Sequence, residues 1–171
     1  MSFKDHNIDS AFDYEGVLYE ERPIYDKAGE VVEGLHAIQI TMNNPAQYNS
    51  YTTDMVKGVI MGMRRAANDR ACVAVVFTGA GDKAFCTGGD QSTREMGGYR
   101  GTVAALPLEV GWQQVTQLIR TIPKPVIARV NGFAIGGGHV YHLLCDLTVA
   151  SEKAVFGQVG PRFGSFDAGF G

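Results

Sequence analysis

The chain has 171 residues, about one domain's worth, and its 45% hydrophobic content and 22 glycines allow a buried core threaded with many turns. Lys+Arg 15 against Asp+Glu 18 gives a net charge of −3, without the basic stripe that binds nucleic acid or anionic lipid. No apolar run approaches the ~20 residues of a membrane span, and the start MSFKDHNIDS has no apolar signal region. Cys72, Cys86 and Cys145 are odd in number and set in apolar contexts, which argues for reduced thiols in a cytoplasmic protein rather than a disulfide frame or zinc site.

The polar residues 1–16 are expected to be loosely held, with a folded core over 17–171. Residues 17–21 read as a short strand and 26–34 as a turn. Residues 35–42 alternate apolar and polar, the period of a half-buried strand, and Asn43-Asn44-Pro45 ends it. From Thr52 the period becomes helical: Met55, Val56, Val59, Ile60 and Met63 share one face, with Ser50 or Thr52 as cap. Gly58 and Gly62 weaken this helix, which implies a close neighbour there. Residues 73–78 form a continuous apolar run expected to be buried on both faces. FCTGGD (85–90) then leads into a polar stretch through Thr102. Trp112, Val115, Leu118, Ile119 and Ile122 mark a second helix, stopped by Pro123 and Pro125. Residues 126–130 read as a strand, Gly136-Gly137-Gly138 opens a short helix over 139–145, and 147–150 and 154–156 are further strands. The order is that of an α/β domain. The sequence stops inside a glycine-rich turn, and the chain is read as a fragment.

Two glycine clusters, at 88–89 and 136–138, adjoin strand-like segments. Either could be a tight turn. Either could also bring backbone N–H groups to a ligand, and one from each would make an oxyanion hole. Asp167, among glycines and aromatics, reads as a capping residue or a desolvated base, and Asp90 as a loop brace. His139 and His142, three apart, could share a metal, but without a third ligand nearby they are better read as packed histidines. Cys86 has no base beside it and reads as a small buried residue. Tyr99 is either a hydroxyl donor or an exposed loop residue.

FCTGGDQ (85–91), KPVIARVNGFAIGGGH (124–139), CDLTVAS (145–151), FGQVGP (156–161) and GSFDAGFG (164–171) occur in order and together resemble the crotonase (enoyl-CoA hydratase/isomerase) superfamily. The resemblance implies an α/β spiral of ββα units without its C-terminal helical part. It implies an acyl-CoA substrate whose thioester oxygen sits between the N–H groups of Gly89 and Gly137, and a homotrimer or hexamer. No metal and no cofactor beyond the substrate's own CoA are implied, nor a nucleic-acid or membrane partner. The hydratase glutamates fall at Val140 and Gly160 here, so simple hydration is disfavoured. What remains is Asp167 as catalytic base, with Ser165 and Tyr99 orienting the substrate. Asp90, Gln91, Gln158 and Gly160 would line the pocket, and Lys57 and Lys83 are weak candidates for the CoA phosphates, beside Arg64, Arg65 and Arg129. This pattern is similar to the hydrolases that open cyclic β-oxoacyl-CoA rings, of the 6-oxocyclohex-1-ene-1-carbonyl or 2-oxocyclohexanecarboxyl type, in anaerobic aromatic catabolism. Similarity to 1,4-dihydroxy-2-naphthoyl-CoA synthases is also present, but Val159 replaces the threonine that serves their bicarbonate site. A non-catalytic acyl-CoA-binding fragment is the third reading.

Overall fold

The computed structural model describes residues 13–91 and 112–164. The chain runs β1 (Val17–Tyr25), β2 (Val31–Met42), α1 (Thr53–Asn68), β3 (Cys72–Gly79), β4 (Ala84–Cys86), α2 (Trp112–Thr121), β5 (Val126–Val130), β6 (Phe133–Ile135), α3 (Gly137–Leu144), β7 (Leu147–Ala150) and β8 (Val155–Gly157). One sheet has the order β1-β2-β3-β5-β7 and a second the order β4-β6-β8. Among the described strands only the β1–β2 hairpin is antiparallel, and the other pairings are parallel. From β3 onward the chain advances by units that add one strand to each sheet, β3 and β4, then β5 and β6, then β7 and β8. This is the expected α/β spiral.

Local chemistry explains the elements. The Thr52 hydroxyl accepts from Met55 N–H at 3.2 Å and caps α1, a contact typically worth ~1 kcal/mol. Met55, Val56, Val59, Ile60 and Met63 are buried against the sheet. A Cβ at position 58 would lie 2.8 Å from Tyr14 Cβ and 2.9 Å from Val17 Cγ2, so the helix approaches β1 more closely there than a side chain allows. The polar start is described from residue 13, and there Gly16 already accepts from Asn43 N–H at 2.7 Å.

Several elements differ from expectation, β2 among them, since it already begins at Val31. β1 continues to Tyr25 through Pro23, because an edge strand bonded only to β2 has a free side for a residue without an N–H. The turn is therefore shorter, and the Asp26 carboxylate accepts from Ala28 and Glu30 N–H at 2.8 and 3.0 Å to close it. β3 is not buried on both faces throughout: Val75 and Phe77 are inaccessible, while Val73 at its start is exposed. β4 and β6 were not foreseen as strands, and they build the second sheet. Among the described residues no helix is long and apolar enough to cross a membrane.

The N-terminal ends of the parallel strands are tied by one polar corner. Lys124 Nζ donates to the carbonyls of Asp69 and Cys72. The Asp69 carboxylate accepts from Ala71 and Cys72 N–H and from His36 Nε2 at 2.8 Å. Partial burial alone would raise the Asp69 pKa, but the His36 bond and the backbone N–H groups outweigh it and hold the carboxyl below its ordinary value. A depressed folded pKa contributes stability above the unfolded pKa, and that stability is lost as pH falls through the folded one. Asp69→Asn is therefore expected to lower stability at pH 7 by on the order of 1–2 kcal/mol. The deficit should shrink below about pH 4, as chemical denaturation at each pH would measure.

Candidate active site

Strands β3 and β5 run parallel, so the β3–β4 and β5–β6 connections emerge at the same end of the sheet, and β4 and β6 lead back towards two glycine loops. After β4 the chain turns at Gly88, whose φ of +94° suits glycine. Tyr51 N–H donates to Gly88 O at 2.9 Å, and Asp90 N–H donates to Tyr51 O at 3.0 Å. This parallel bridge pairs Tyr51 with Gly89 and leaves the Gly89 N–H outside the ladder. Gln91 Nε2 folds back on Gly89 O at 3.0 Å. Asp90 is buried.

The second loop follows β6. Gly136 caps α3 at φ 56°, ψ −122°, dihedrals that a Cβ disfavours. Its N–H is taken by Gly157 O of β8 at 2.9 Å. Helix geometry leaves the first N–H groups of α3 without intrahelical acceptors, Gly137 the foremost. A Cβ placed on Gly88 would lie 3.4 Å from Gly137 N, so the first loop abuts the start of α3. Gly138 is glycine for a different reason: its Cβ would collide with the Cys86 carbonyl, and this contact seats α3 on β4.

The third wall comes after β8. Gln158 Oε1 accepts from Val159 N–H at 3.2 Å, and Val159 Cγ2 would lie 3.5 Å from a Cβ on Gly136. Gly160 begins a 3-10 turn, Gly160–Phe163, whose end returns Gly164 N–H to Gly160 O. The structure thus brings Gly88, and with it the loop that carries Gly89, Asp90 and Gln91, up to Gly137, and places Gln158, Val159 and Gly160 on the chain that flanks Gly136. Lys57 lies elsewhere in the sequence order, on α1, paired with Asp54 at 2.8 Å. Lys83 is exposed at the turn before β4. Arg65 is stacked 4.7 Å over the Tyr19 ring. Asp167, Ser165 and Tyr99 lie outside the described residues.

Sequence reasoning passed over Asn49 and Tyr51, which build the first loop. The available signal was the NNPAQYNSY turn, since asparagine tolerates the left-handed backbone that Asn49 adopts at φ 53°.

The chemistry of the remaining side chains is quiet. Burial pushes the Cys86 thiol up to about 12, so it stays protonated and is the small packed residue expected. His142 Nε2 meets His139 Nδ1 at 2.9 Å, and its Nδ1 meets Thr148 Oγ1 at 3.3 Å. The two imidazoles bond to each other, and among the described residues no group of three or more His, Cys, Asp or Glu could hold a metal. Val140, at one hydratase glutamate position, is fully buried.

A model of the enoyl-CoA hydratase/isomerase family matches residues 34–171. The chain belongs to that family. It is 48% identical over 157 residues to a 6-oxocyclohex-1-ene-1-carbonyl-CoA hydrolase of Syntrophus aciditrophicus, covering 89% of this chain and 40% of that protein. It is also 48% identical over 166 residues to the protein of the same name from Thauera aromatica, covering 94% of this chain and 43% of the relative. Among solved structures, an enoyl-CoA hydratase/isomerase from Xanthobacter autotrophicus Py2 superposes with a TM-score of 0.70 at 31% identity, over 89% of this chain and 52% of the other. The chain therefore spans about two-fifths of the length of these curated relatives.

Burial, and then the neighbouring His139, push the His142 pKa from 6.5 down to about 4. Between those values the unfolded chain binds a proton that the folded chain refuses, so stability falls as pH falls across that window. His142→Asn is expected to flatten the decline between pH 6.5 and about 4, measured as the unfolding midpoint in urea at successive pH values.

Proposed function

We propose that the protein carrying this sequence is a hydrolase that opens the ring of a cyclic β-oxoacyl-CoA of the 6-oxocyclohex-1-ene-1-carbonyl type. The observation that carries the reading is the packing of the Gly88–Gly89 loop against the N-terminus of α3. It supports a pair of backbone donors, Gly89 N–H from the loop and Gly137 N–H from the positive end of a helix dipole. Preorganised N–H groups of this kind stabilise a developing oxyanion, typically by ~3–4 kcal/mol per donor. The names of the relatives, 6-oxocyclohex-1-ene-1-carbonyl-CoA hydrolases, support this substrate within the family.

In this mechanism the thioester carbonyl rests between Gly89 and Gly137 N–H. Asp167 takes a proton from water as the oxygen adds to the ring ketone. The tetrahedral adduct collapses to a carboxylic acid, the bond between the former ketone carbon and the α-carbon breaks, and its electron pair enters the thioester as an enolate. Asp167 returns its proton to the α-carbon. The balance is one water consumed for one carbon–carbon bond. An unsaturated ring takes up a second water at its double bond. Ser165 and Tyr99 orient the ketone and the water, and Asp90, Gln91, Gln158 and Gly160 line the pocket. Lys57 and Lys83 are candidate contacts for the CoA phosphates. No cofactor beyond the CoA of the substrate takes part, and the reaction belongs to benzoyl-CoA degradation in the cytoplasm by a trimer or hexamer.

Val159 supports this reading over the naphthoyl-CoA synthase alternative, because an apolar side chain beside Gly136 offers no hydroxyl to a bicarbonate. The test offers 6-oxocyclohex-1-ene-1-carbonyl-CoA, 2-oxocyclohexanecarboxyl-CoA and o-succinylbenzoyl-CoA separately to the longest natural polypeptide that carries this sequence, with product masses recorded. The expected result is gain of water by one of the cyclic ketones, with Asp167→Asn slower by roughly 10²–10⁴-fold. Loss of water from o-succinylbenzoyl-CoA instead would overturn the proposal.

A further inference from the structure

We propose that Tyr51 is the positioning residue that sets the spacing between the two N–H donors, Gly89 and Gly137. The inference rests on the reading of those two N–H groups as the oxyanion hole. The backbone of Tyr51 holds one donor. Its N–H and C=O bond to Gly88 O and Asp90 N–H at 2.9 and 3.0 Å, straddling Gly89 and leaving that residue's N–H outside the ladder. The side chain reaches the other donor. A Cβ built on Gly137 would lie 2.5 Å from the Tyr51 hydroxyl oxygen and 3.2 Å from both Cε1 and Cζ.

The ring cannot readily move aside. Tyr51 is 6% exposed and lies 5.5 Å, centroid to centroid, from Tyr141, one turn further along α3. Tyr141 in turn contacts Phe77 at 5.7 Å, and Phe77 contacts Phe85 at 5.6 Å. One residue therefore acts as a strut, bonded through its main chain to the Gly89 loop and butted through its phenol against the first residue of α3. Gly137 has no positive φ, so its backbone is open to alanine. What forbids a side chain there is the Tyr51 phenol.

This arrangement separates position from chemistry. Gly137→Ala keeps the N–H donor but forces α3 and Tyr51 apart. Tyr51→Phe removes the atom at 2.5 Å and leaves ring atoms at 3.2 Å, which a shift of a few tenths of an ångström accommodates. The two substitutions should therefore be coupled, the second relieving the first.

The experiment uses the longest natural polypeptide carrying this sequence, with cyclohexanecarboxyl-CoA labelled with ¹³C at the thioester carbonyl as the probe, because it has no ketone to cleave. The infrared band of the bound carbonyl reports its polarisation, and turnover of the cyclic ketone is followed in parallel. Gly137→Ala is expected to return the band toward its position in free probe and to lower kcat by roughly 100-fold. Adding Tyr51→Phe should restore the band shift and recover about 10-fold or more of the rate. Tyr51→Phe alone, which shortens the strut, is expected to weaken the band shift in part and to lower kcat severalfold, and Tyr51→Ala should lose the band shift while the probe's Kd is retained. If Gly137→Ala fails to fold, recovery of a cooperative melt in the double variant reads the same coupling.

A double variant no better than Gly137→Ala, or Tyr51→Ala with the full band shift, overturns the inference. A wild type that leaves the band unshifted overturns it together with the donor reading. A shifted band and coupled variants without ring opening leave Tyr51 in its role and overturn only the hydrolase proposal.

Discussion

The site depends on a single buried amide. Asn49 is fully buried and uses both of its N–H groups, donating to Ala80 O at 2.9 Å and Ala84 O at 2.7 Å, while its oxygen accepts from Asn44 N–H at 3.0 Å. It thereby joins the turn before α1 to both ends of the β3–β4 connection. An isolated polar group so deeply buried would cost several kcal/mol; here each bond goes to a backbone group. The consequence lies two residues further on. With Asn49 fixed, Tyr51 is laid alongside Gly89, and the bridge that frames the first donor follows from it.

Asn131 repeats the device one unit later, donating to Gly79 O and Gly81 O from the β5–β6 corner. The corners of successive units are therefore stitched by asparagine side chains, whereas their flat parts are held by strand ladders and apolar packing. Gly132 and Gly138 allow the closest approaches, since a Cβ on the first would meet Lys83 O and on the second Cys86 O. Side chains at these positions would push β6 and α3 off β4 and spread the two loops. The spacing of the two glycine loops thus resides in main-chain contacts between units.

How much of this the sequence reveals depends on how local the cause is. The α1 and α2 helices, the Thr52 cap and the β3 and β5 strands are written in periodicity and end signals that act within a few residues. The reason for Gly58 in α1 is half-legible: a weak helix former in a strong pattern implies a neighbour, but not that the neighbour is Tyr14 and Val17. β4 and β6 are three residues each and leave no periodic trace; they exist because β4 pairs with β6 and β6 with β8. Asn49 and Tyr51 look like turn residues because their partners are more than thirty positions away in sequence. A donor pair drawn from the two glycine clusters was legible in the residues, yet the choice of Gly89 and Gly137 came from resemblance, as did the choice of catalytic roles for Asp167, Ser165 and Tyr99 over their structural alternatives.

The electrostatic character of the described site follows from what surrounds the donors. Beneath the first loop the Cys86 thiol is held protonated, and within α3 the His142 imidazole is held neutral through the physiological range, each by burial. Neither supplies a charge that could be lost or gained near neutral pH. In the proposed mechanism, stabilisation of an enolate would then rest on fixed N–H dipoles, which do not titrate and need no reorganisation when the charge develops. Cys86 and His142 therefore give rate no pH dependence near neutrality, which must arise at the group that moves the proton. The proposed mechanism divides the work in this way: Asp167 would be tuned by its own ionisation, whereas the backbone donors would be indifferent to pH and set by geometry alone.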